Sequence, residues 1–382
     1  MRYVLSLILL CAMGGPVAAQ DPWPWLDPAD DRGAITVLMM GDTNIQHRTD
    51  ASQAYAPIQP TLDAADIRFV NLEGPFAGAS EDPLVPDIPH KGWTHSEPDQ
   101  VNTLVAGGID AVGVANNVTY PWQALMRSLD VLDRAGVAHV GGGKDIQAAH
   151  RPLVLERRGV KVGFLSYAAT VFPFNHAATQ DRPGIAQIKV YTAYQPPRQL
   201  DKPGQPPNVI TWLDEASRDR MVDDVRRLKA RTDVVIVSYH WGVSNTTRPV
   251  SFQGEVGRAV IDAGADLVLG HGPHKYQPVE VYKGRPILYS VGQGLFDDPL
   301  RSRKHREGLL VRAVIRDKQL AGVSLVPTWR DDEPGLDMRL YDPNEGKGRE
   351  LFGYLMSVHD DGAIPLAIEG REIVVQGVGP AA

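Results

Sequence analysis

Short apolar strands alternate with amphipathic helices along most of this chain, and this alternation limits its fold more than any other feature. AITVLMMGD (34–42) and DVVIVSYHWG (233–242) have the length and β-branched content of buried strands. WQALMRSLDVLDRAG (122–136) and ASRDRMVDDVRRLKART (216–232) carry apolar residues at helical spacing. The alternation therefore predicts an α/β fold with a largely buried, partly parallel sheet.

The amino terminus has the pattern of a secretory signal peptide. Arg2 precedes an apolar stretch over residues 3–13, and Val17 and Ala19 occupy small-residue cleavage positions. The single cysteine, Cys11, follows Leu10 rather than the small residue that a lipoprotein signal needs. We therefore expect a cleavable signal over 1–19 and a periplasmic or secreted mature protein without disulfides or thiolate ligands.

Charge and hydropathy bound the partners and the domain organisation. The formal net charge of −7 argues against nucleic acid as a partner. No later stretch has the uncharged apolar length of a membrane helix. We predict one domain over 20–330 in which the proline-rich stretch 191–211 is a loop or insertion rather than a core element. We also predict a carboxyl-terminal helix and hairpin over 331–382 that pack on the same domain.

Five apolar strands end on residues that bind hard or borderline divalent metals. Parallel strands bring their carboxyl ends to one edge of a sheet, so residues far apart in sequence can meet there. Carboxylate, amide and imidazole ligands suit zinc, manganese or iron better than calcium, which prefers oxygen alone. The pattern predicts a site for one or two such ions. The predicted ligands are Asp42, Glu73, Asn117, His240, His271 and His274.

Each of these residues also has a structural interpretation. Asp42 could cap a turn, and the asparagines before Val118 could be turn residues. Glu73 could form an ion pair with Arg68, and His240 could be a core histidine packed on Trp241. The metal interpretation therefore depends on whether the side chains meet in space.

A set of short motifs extends the argument from single residues to a family. On these motifs the chain resembles the poly-gamma-glutamate capsule biosynthesis proteins of the CapA type, which are themselves similar to calcineurin-like metallophosphoesterases. The motifs are MMGDTN, AADIRFVNLEGPF, GGIDAVGVANN, RAGVAHVGGGKDIQAAHRPLV, VVIVSYHWG, GADLVLGHGPHKYQPVEVYKGRPILYSVGQGLFD and LFGYLMSVHDDGAIPLAI.

The resemblance implies a four-layer α/β/β/α sandwich with a mono- or dinuclear metal centre at one edge of its two sheets. It also implies that Asp42, Glu73 and Asn117 belong to the first three metal-binding motifs. His240 then corresponds to the fourth motif, and His271 with His274 to the last. The usual chemistry of such a centre is attack of metal-activated water on phosphorus or a carbonyl group.

The chain departs from the family pattern at several positions. After the paired asparagines the family normally has a histidine and, three residues on, an aspartate, but this chain has Val118 and Pro121 there. Valine cannot transfer a proton, so the standard phosphoester route should be impaired. Gly272 replaces the usual histidine of the last motif, and Gln293 stands where asparagine is common.

Other polar residues are candidates for catalysis and substrate binding. His90 and His95, on a loop after the Glu73 strand, are candidate replacements for the missing histidine, and Asn116 is a third catalytic candidate. The predicted substrate-binding residues are His47, Arg48, Lys91 and Trp241. Cations close to the metal ligands would suit an anionic polymer or a small anionic substrate. Solvated surface positions are the alternative for the loop residues.

Two functions are compatible with these features. The first is an exported metal-dependent hydrolase that cleaves a phosphoester or amide bond of an anionic cell-envelope or capsule polymer. The second is a non-catalytic protein that binds or assembles a capsule or exopolysaccharide polymer and keeps the fold and the metal. Val118 favours the second, and the remaining ligands favour the first.

Overall fold

Two β-sheets packed face to face form the centre of the molecule. The computed structural model describes residues 19–25, 34–78, 95–197, 203–297, 306–330, 338–360, 362 and 364–379. The strands in these ranges are β1 Ile35–Asn44, β2 Ile67–Leu72, β3 Ala111–Gly113, β4 Ala138–Val140, β5 Gly142–Gly143, β6 Leu153–Arg157, β7 Val160–Ala168, β8 Gly184–Ile185, β9 Val190–Gln195, β10 Asn208–Leu213, β11 Val234–His240, β12 Leu267–His271, β13 Val279–Tyr282, β14 Arg285–Leu288, β15 Gln293–Phe296, β16 Glu307–Arg316, β17 Gln319–Arg330, β18 Met338–Leu340, β19 Leu366–Glu369 and β20 Glu372–Val375.

The helices lie outside the two sheets or close their ends. The α-helices are α1 Gln59–Asp63, α2 Asn102–Ala106, α3 Trp122–Ala135, α4 Ile146–Ala149, α5 Glu215–Lys229, α6 Ser251–Asp262 and α7 Gly346–Ser357, with short 3₁₀ turns at Ala51–Gln53, Ala56–Ile58 and Pro98–Val101. The predicted helical spacing agrees with α3 and α5. Among the described residues, no helix has both the length and the apolar character needed to cross a bilayer.

Each sheet contains four neighbouring parallel strands, which lie on one side of the ten-stranded sheet and in the middle of the six-stranded sheet. One sheet has ten strands in the order β19-β20-β17-β16-β1-β2-β3-β4, with β15 also paired to β1 and β18 to β17. The other has six strands in the order β13-β14-β12-β11-β7-β6. Strands β1, β2, β3 and β4 run parallel, as do β7, β11, β12 and β14. Each sheet therefore presents several strand carboxyl ends at one edge.

Three hydrophobic cores separate four layers, so the fold is the predicted α/β/β/α sandwich. Between the sheets, Met39, Phe69 and Phe164 belong to one core, and the Phe69 and Phe164 rings stack at 5.0 Å. Leu125 of α3 packs in the core outside the ten-stranded sheet. Val225 of α5 packs in the core outside the six-stranded sheet.

Two peripheral segments complete the molecule. The proline-rich stretch overlaps a two-stranded hairpin formed by β9 and β10, which is separate from the two large sheets. Residues 198–202 lie outside the described ranges. At the carboxyl terminus, the β19–β20 hairpin pairs with β17, and Leu355 of α7 is buried in the core between the sheets. The predicted signal peptide falls almost entirely on residues that the structure does not describe.

Candidate metal centre

A β-bulge in β1 aims Asp42 at the space between the sheets. Val37 and Met39 face the inter-sheet core, so plain alternation would turn Asp42 to the opposite face. The register with β2 shifts by one residue between Met40 and Asp42. Met40 pairs with Val70, and Asp42 pairs with the next residue, Asn71. Asn71 Nδ2 donates to Asp42 Oδ1 at 2.8 Å, so the two side chains share a face. Bulges often redirect side chains beside functional sites in this way.

Glu73 follows β2 at the same edge of the ten-stranded sheet. Its backbone N–H donates to the Thr43 carbonyl at 2.7 Å, and its own carbonyl accepts from Asn44 Nδ2 at 2.6 Å. The side chain is 2% exposed. Arg68, the alternative partner, is instead paired with Asp110 at 2.9 Å. The Glu73 carboxylate therefore lies in the inter-sheet space without that cation.

The six-stranded sheet supplies three histidines to the same space. His240 and His271 end β11 and β12 and are register partners. His240 Nε2 lies 3.6 Å from Glu73 Oε1, and His271 Nδ1 lies 3.8 Å from Asp42 Oδ1. His274 connects both carboxylates, with Nδ1 3.0 Å from Asp42 Oδ2 and Nε2 3.6 Å from Glu73 Oε1. Residues from both sheets thus converge on one buried cluster.

Many ligand atoms of this cluster lack hydrogen-bond partners among the described residues. Asp42, Glu73 and His240 place their ligand atoms within 4.8 Å of one another. Both ring nitrogens of His240 and of His271 have no partner, and neither does Glu73 Oε2. Buried polar atoms are normally paired because an unpaired one loses its hydration without replacement. Such a set of unpaired nitrogen and oxygen donors fits a divalent metal ion.

Protonation in the cluster also suits metal binding. Burial opposes ionisation of Asp42, but the hydrogen bond and charge of His274, with His240 and His271, hold the Asp42 pKa well below its usual range. Burial lowers the pKa of His271 to about 4, against a smaller opposing effect of Asp42. At neutral pH Asp42 is therefore a carboxylate and His271 a neutral imidazole, the forms that coordinate metals.

The paired asparagines occupy different environments. Asn116 is fully buried: its Nδ2 donates to the Leu72 carbonyl at 2.6 Å, and its Oδ1 accepts from the Thr119 hydroxyl at 2.8 Å. These bonds hold the loop after β3 and occupy the Asn116 amide. Asn117 is partly buried, and its Oδ1 has no partner among the described residues. Asn117 therefore has the free oxygen that a ligand needs, whereas the position of Asn116 indicates support of the loop.

The predicted substrate-binding residues lie in unlike places. His47 is exposed, whereas Arg48 forms a bidentate ion pair with Asp297, both contacts at 2.8 Å. Trp241 is 1% exposed and donates from Nε1 to the Tyr289 carbonyl at 2.8 Å. This core position does not favour contact between Trp241 and a substrate. His90 and Lys91 lie outside the described residues.

His95 is the described candidate for proton transfer. It is 6% exposed, and its Nε2 lies 2.8 Å from the Tyr120 carbonyl, which accepts only if this nitrogen carries the proton. Nδ1 has no partner in the described chain. Burial lowers the pKa of His95, against a smaller effect of the Tyr120 bond. At neutral pH the ring is therefore neutral, and its Nδ1 carries no proton to donate.

Sequence reasoning missed His176, which lies behind the asparagine loop. Its Nδ1 accepts from the Phe172 N–H at 3.1 Å, so Nε2 carries the proton and donates to the Asn116 carbonyl at 3.0 Å. Burial lowers the His176 pKa to about 4. The surrounding sequence FPFNHAA has no strand or helix period that would have identified His176. Asn71 also was not predicted, but strand alternation could have identified it, since it lies two residues before Glu73 and so on the same face.

His176 should make folding stability fall in mild acid. Its folded pKa of about 4 lies below the unfolded value of 6.5, so its neutral form contributes fully above pH 6.5 and this contribution is lost as pH falls towards 4. From pH 7.5 to 5 the loss should be about 2 kcal/mol. In urea titrations of metal-free protein, the free energy of unfolding of His176→Gln should fall less between pH 7.5 and 5 than that of wild type. His47→Gln, at an exposed position, serves as control. An equal loss of unfolding free energy between pH 7.5 and 5 in all three proteins would contradict the assignment.

Gly272 allows the last motif to wrap around Asp42. Its N–H donates to Asp42 Oδ2 at 3.1 Å. Its φ is +102°, and a Cβ there would lie 2.7 Å from the Trp241 carbonyl and 3.1 Å from His240 Cε1. This geometry accounts for glycine at a position where the family often has histidine, because any side chain would be strained and crowded.

Gly272→Ala should therefore damage both folding and metal binding. We expect a loss of about 3 kcal/mol or more in the free energy of unfolding, together with displacement of His240. Gly136→Ala is the matched control, since Gly136 also has a positive φ, +74°, but a Cβ added there would meet nothing within 4 Å. That control should cost about 1 kcal/mol and keep the metal. Equal effects of the two substitutions in denaturant titrations and metal analysis would rule out the crowding.

Most of the chain matches a known protein family. The model of the bacterial capsule synthesis protein family PGA_cap matches residues 32–298, which include every predicted metal ligand. The chain belongs to this family. The family has a metallophosphoesterase-like fold, in agreement with the four layers. Within it, the buried Asp42, Glu73 and His240 form a group able to bind a metal ion.

Individual relatives are identical to this PGA_cap chain at about a quarter to a third of the aligned positions. It is 32% identical over 259 residues to a probable polyglutamine synthesis accessory protein of Mycobacterium tuberculosis, covering 64% of this chain and 59% of the relative. It is 25% identical over 303 residues to the capsule biosynthesis protein CapA of Bacillus anthracis, covering 77% and 67%. The match to protein y4sH of Sinorhizobium fredii, 27% over 311 residues, covers 69% of this chain and 66% of that protein, just under two thirds.

Proposed function

We propose that this PGA_cap protein is an exported metal-dependent hydrolase that cleaves a phosphoester or amide bond of an anionic cell-envelope or capsule polymer. The observation that carries the proposal is the buried cluster of Asp42, Glu73 and the three histidines, whose ligand atoms come from two sheets. A merely structural cluster would satisfy its polar atoms internally. Within the described chain, both ring nitrogens of His240 and His271 are left for a ligand.

The proposed centre holds one or two ions of manganese, zinc or iron. Its ligands would be Asp42, Glu73, His240, His271, His274 and Asn117. A bound divalent ion supplies Lewis acidity, lowering the pKa of water and polarising a phosphoryl or carbonyl oxygen. The mixed carboxylate, amide and imidazole set supports these metals over calcium.

The chain's own residues would orient this site and move protons around it. Asn71 and the Gly272 N–H fix the Asp42 carboxylate, and His176 holds the carbonyl that precedes Asn117. Val118 has no proton to give. In this proposal His95 accepts a proton at Nδ1, which has no partner in the described chain; the lowered pKa of His95 keeps the ring unprotonated at neutral pH.

The names of relatives support the proposed substrate class. The names of the Mycobacterium tuberculosis and Bacillus anthracis relatives refer to polyglutamine synthesis and to capsule biosynthesis, which supports a cell-envelope or capsule polymer as substrate. The signal-like sequence over 1–19 supports export to the periplasm or beyond. We therefore favour a polymer with carboxylate or phosphate groups as substrate.

A second function deserves a test because of Val118. If no other group donates a proton to the leaving group, the chain would bind metal and polymer without turnover and would serve capsule or exopolysaccharide assembly. The occupied amide of Asn116 and the neutral ring of His95 support this alternative, since neither is a proton donor at neutral pH.

One experiment separates the two functions. The full chain is purified after expression with export, its metal content is measured, and it is assayed on an aryl phosphate, an aryl phosphodiester and gamma-linked glutamate peptides. Metal with turnover that a chelator abolishes would support the hydrolase. Metal without turnover on any of these compounds would favour the assembly role, and absence of metal after reconstitution with manganese, zinc and iron would refute both.

A further inference from the structure

Arg330, the last residue of β17, is a buried cation whose side chain has no hydrogen-bond partner among the described residues. The residue is 1% exposed. Nε, Nη1 and Nη2 all lack a partner within the part of the chain that the structure describes. Three unpaired donors on one buried guanidinium are unusual, because buried donors are nearly always satisfied.

The charges around Arg330 do not compensate it. The Arg330 N–H donates to the Arg306 carbonyl at 3.2 Å, which brings these two arginines together. Arg48 and Asp297 are also near enough for their charges to act on Arg330. Asp297 is already bound by Arg48 at 2.8 Å through each of its oxygens and by the Gln46 N–H at 3.2 Å. Within the described ranges, the carboxylate whose charge acts on Arg330 is thus already bound by another arginine.

Proton loss cannot remove this charge at neutral pH. Burial lowers the pKa of Arg330 to about 10, with Asp297 raising it and the other two arginines lowering it. The guanidinium therefore stays protonated at pH 7. Among the described residues this ion has no counter-ion of its own, and a buried unpaired charge is strongly destabilising, so the arrangement favours binding of an anion.

We propose that Arg330 binds a small oxyanion at the end of β17, beside the Arg48–Asp297 ion pair. A planar guanidinium donates two parallel hydrogen bonds to a phosphate or carboxylate group, which matches its free nitrogens. The site shares no residue with the proposed metal centre. It therefore stands whether or not the chain is a hydrolase.

Thermal unfolding of the full chain tests this site. The protein is titrated with sodium phosphate and, separately, sodium acetate, at an ionic strength kept constant with sodium chloride. At 100 times the dissociation constant, the midpoint should rise by about 3 °C. A rise with either oxyanion supports the site, and the anion that acts identifies phosphate or carboxylate as its ligand. No rise with either one overturns it.

Two arginine variants assign the effect to Arg330. Arg330→Met should lose the response to the oxyanion and, without it, unfold at or above the wild-type temperature, since an unpaired charge is gone. Arg312→Met changes another buried arginine, which faces Glu372, and should keep the response. An undiminished response in Arg330→Met would disprove the assignment. Asp42→Asn should also respond, which separates this site from anion binding at the metal centre, and loss of its response would contradict two independent sites.

Discussion

Replacement of Asp42 by asparagine is expected to lower metal affinity by about 100-fold or more. The substitution keeps the shape of the side chain but removes the charge that lies 3.0 Å from His274 Nδ1 and 3.8 Å from His271 Nδ1. Loss of one outer partner of a metal site already costs about 10–100-fold, and loss of a ligand charge should cost at least as much. The measurement is metal content by elemental analysis, with affinity from competition against a chromophoric chelator.

Asp110→Asn provides the matched control. Asp110 is paired with Arg68 and Arg157, each at 2.9 Å, just before β3 and therefore at the opposite end of that strand from Asn117. Its loss should lower stability and leave metal content unchanged. If Asp42→Asn bound as much metal as wild type, Asp42 would not be a ligand and the proposed centre would have to be abandoned.

Val118→His is expected to raise turnover of an aryl phosphate by about 100-fold, within the usual range for an added general acid. Val118 is partly exposed, and its N–H donates to Asn116 Oδ1 at 3.2 Å, so the backbone does not depend on the valine side chain. The new imidazole would stand directly after Asn117, where the family normally has histidine. The measurement is kcat across pH, because a histidine acid adds a limb on which activity falls as the histidine loses its proton.

Val118→Gln controls for size and polarity without a titrating group. It should show neither the gain nor the new limb. Equal rates in wild type, Val118→His and Val118→Gln would mean that the missing histidine does not limit activity. Absence of turnover in all three proteins, with metal bound in each, would favour the assembly function.

Much of the architecture could be predicted from the sequence because its signals are local. The periods of α3 and α5 and the apolar run before His240 identify helices and a strand without long-range information. The β9–β10 hairpin within the proline-rich 191–211 stretch was not predicted, because its two strands pair with each other and the prolines between them resemble those of an irregular loop. Sequence patterns do not distinguish these cases.

The candidate site was only partly predictable, since its geometry depends on pairing between distant strands. The sequence predicts that Asp42 and the histidines lie at strand ends. The bulge that turns Asp42 inward is visible only in the register with β2. The choice of Asp110 rather than Glu73 as partner for Arg68 depends on the neighbouring strand β3. His176 and Arg330 are isolated residues whose burial arises from tertiary packing.

The predicted ligands are divided between the two sheets, and this division has a mechanical consequence. Asp42 and Glu73 belong to the ten-stranded sheet, whereas His240 and His271 belong to the six-stranded sheet. An ion bound by all four would be a reversible crosslink across the interface, much as a disulfide joins two segments in proteins that have cysteines. At low concentrations of the ion, packing between the two sheets would then loosen first at this edge. The lifetime of the folded protein would therefore depend on the metal concentration.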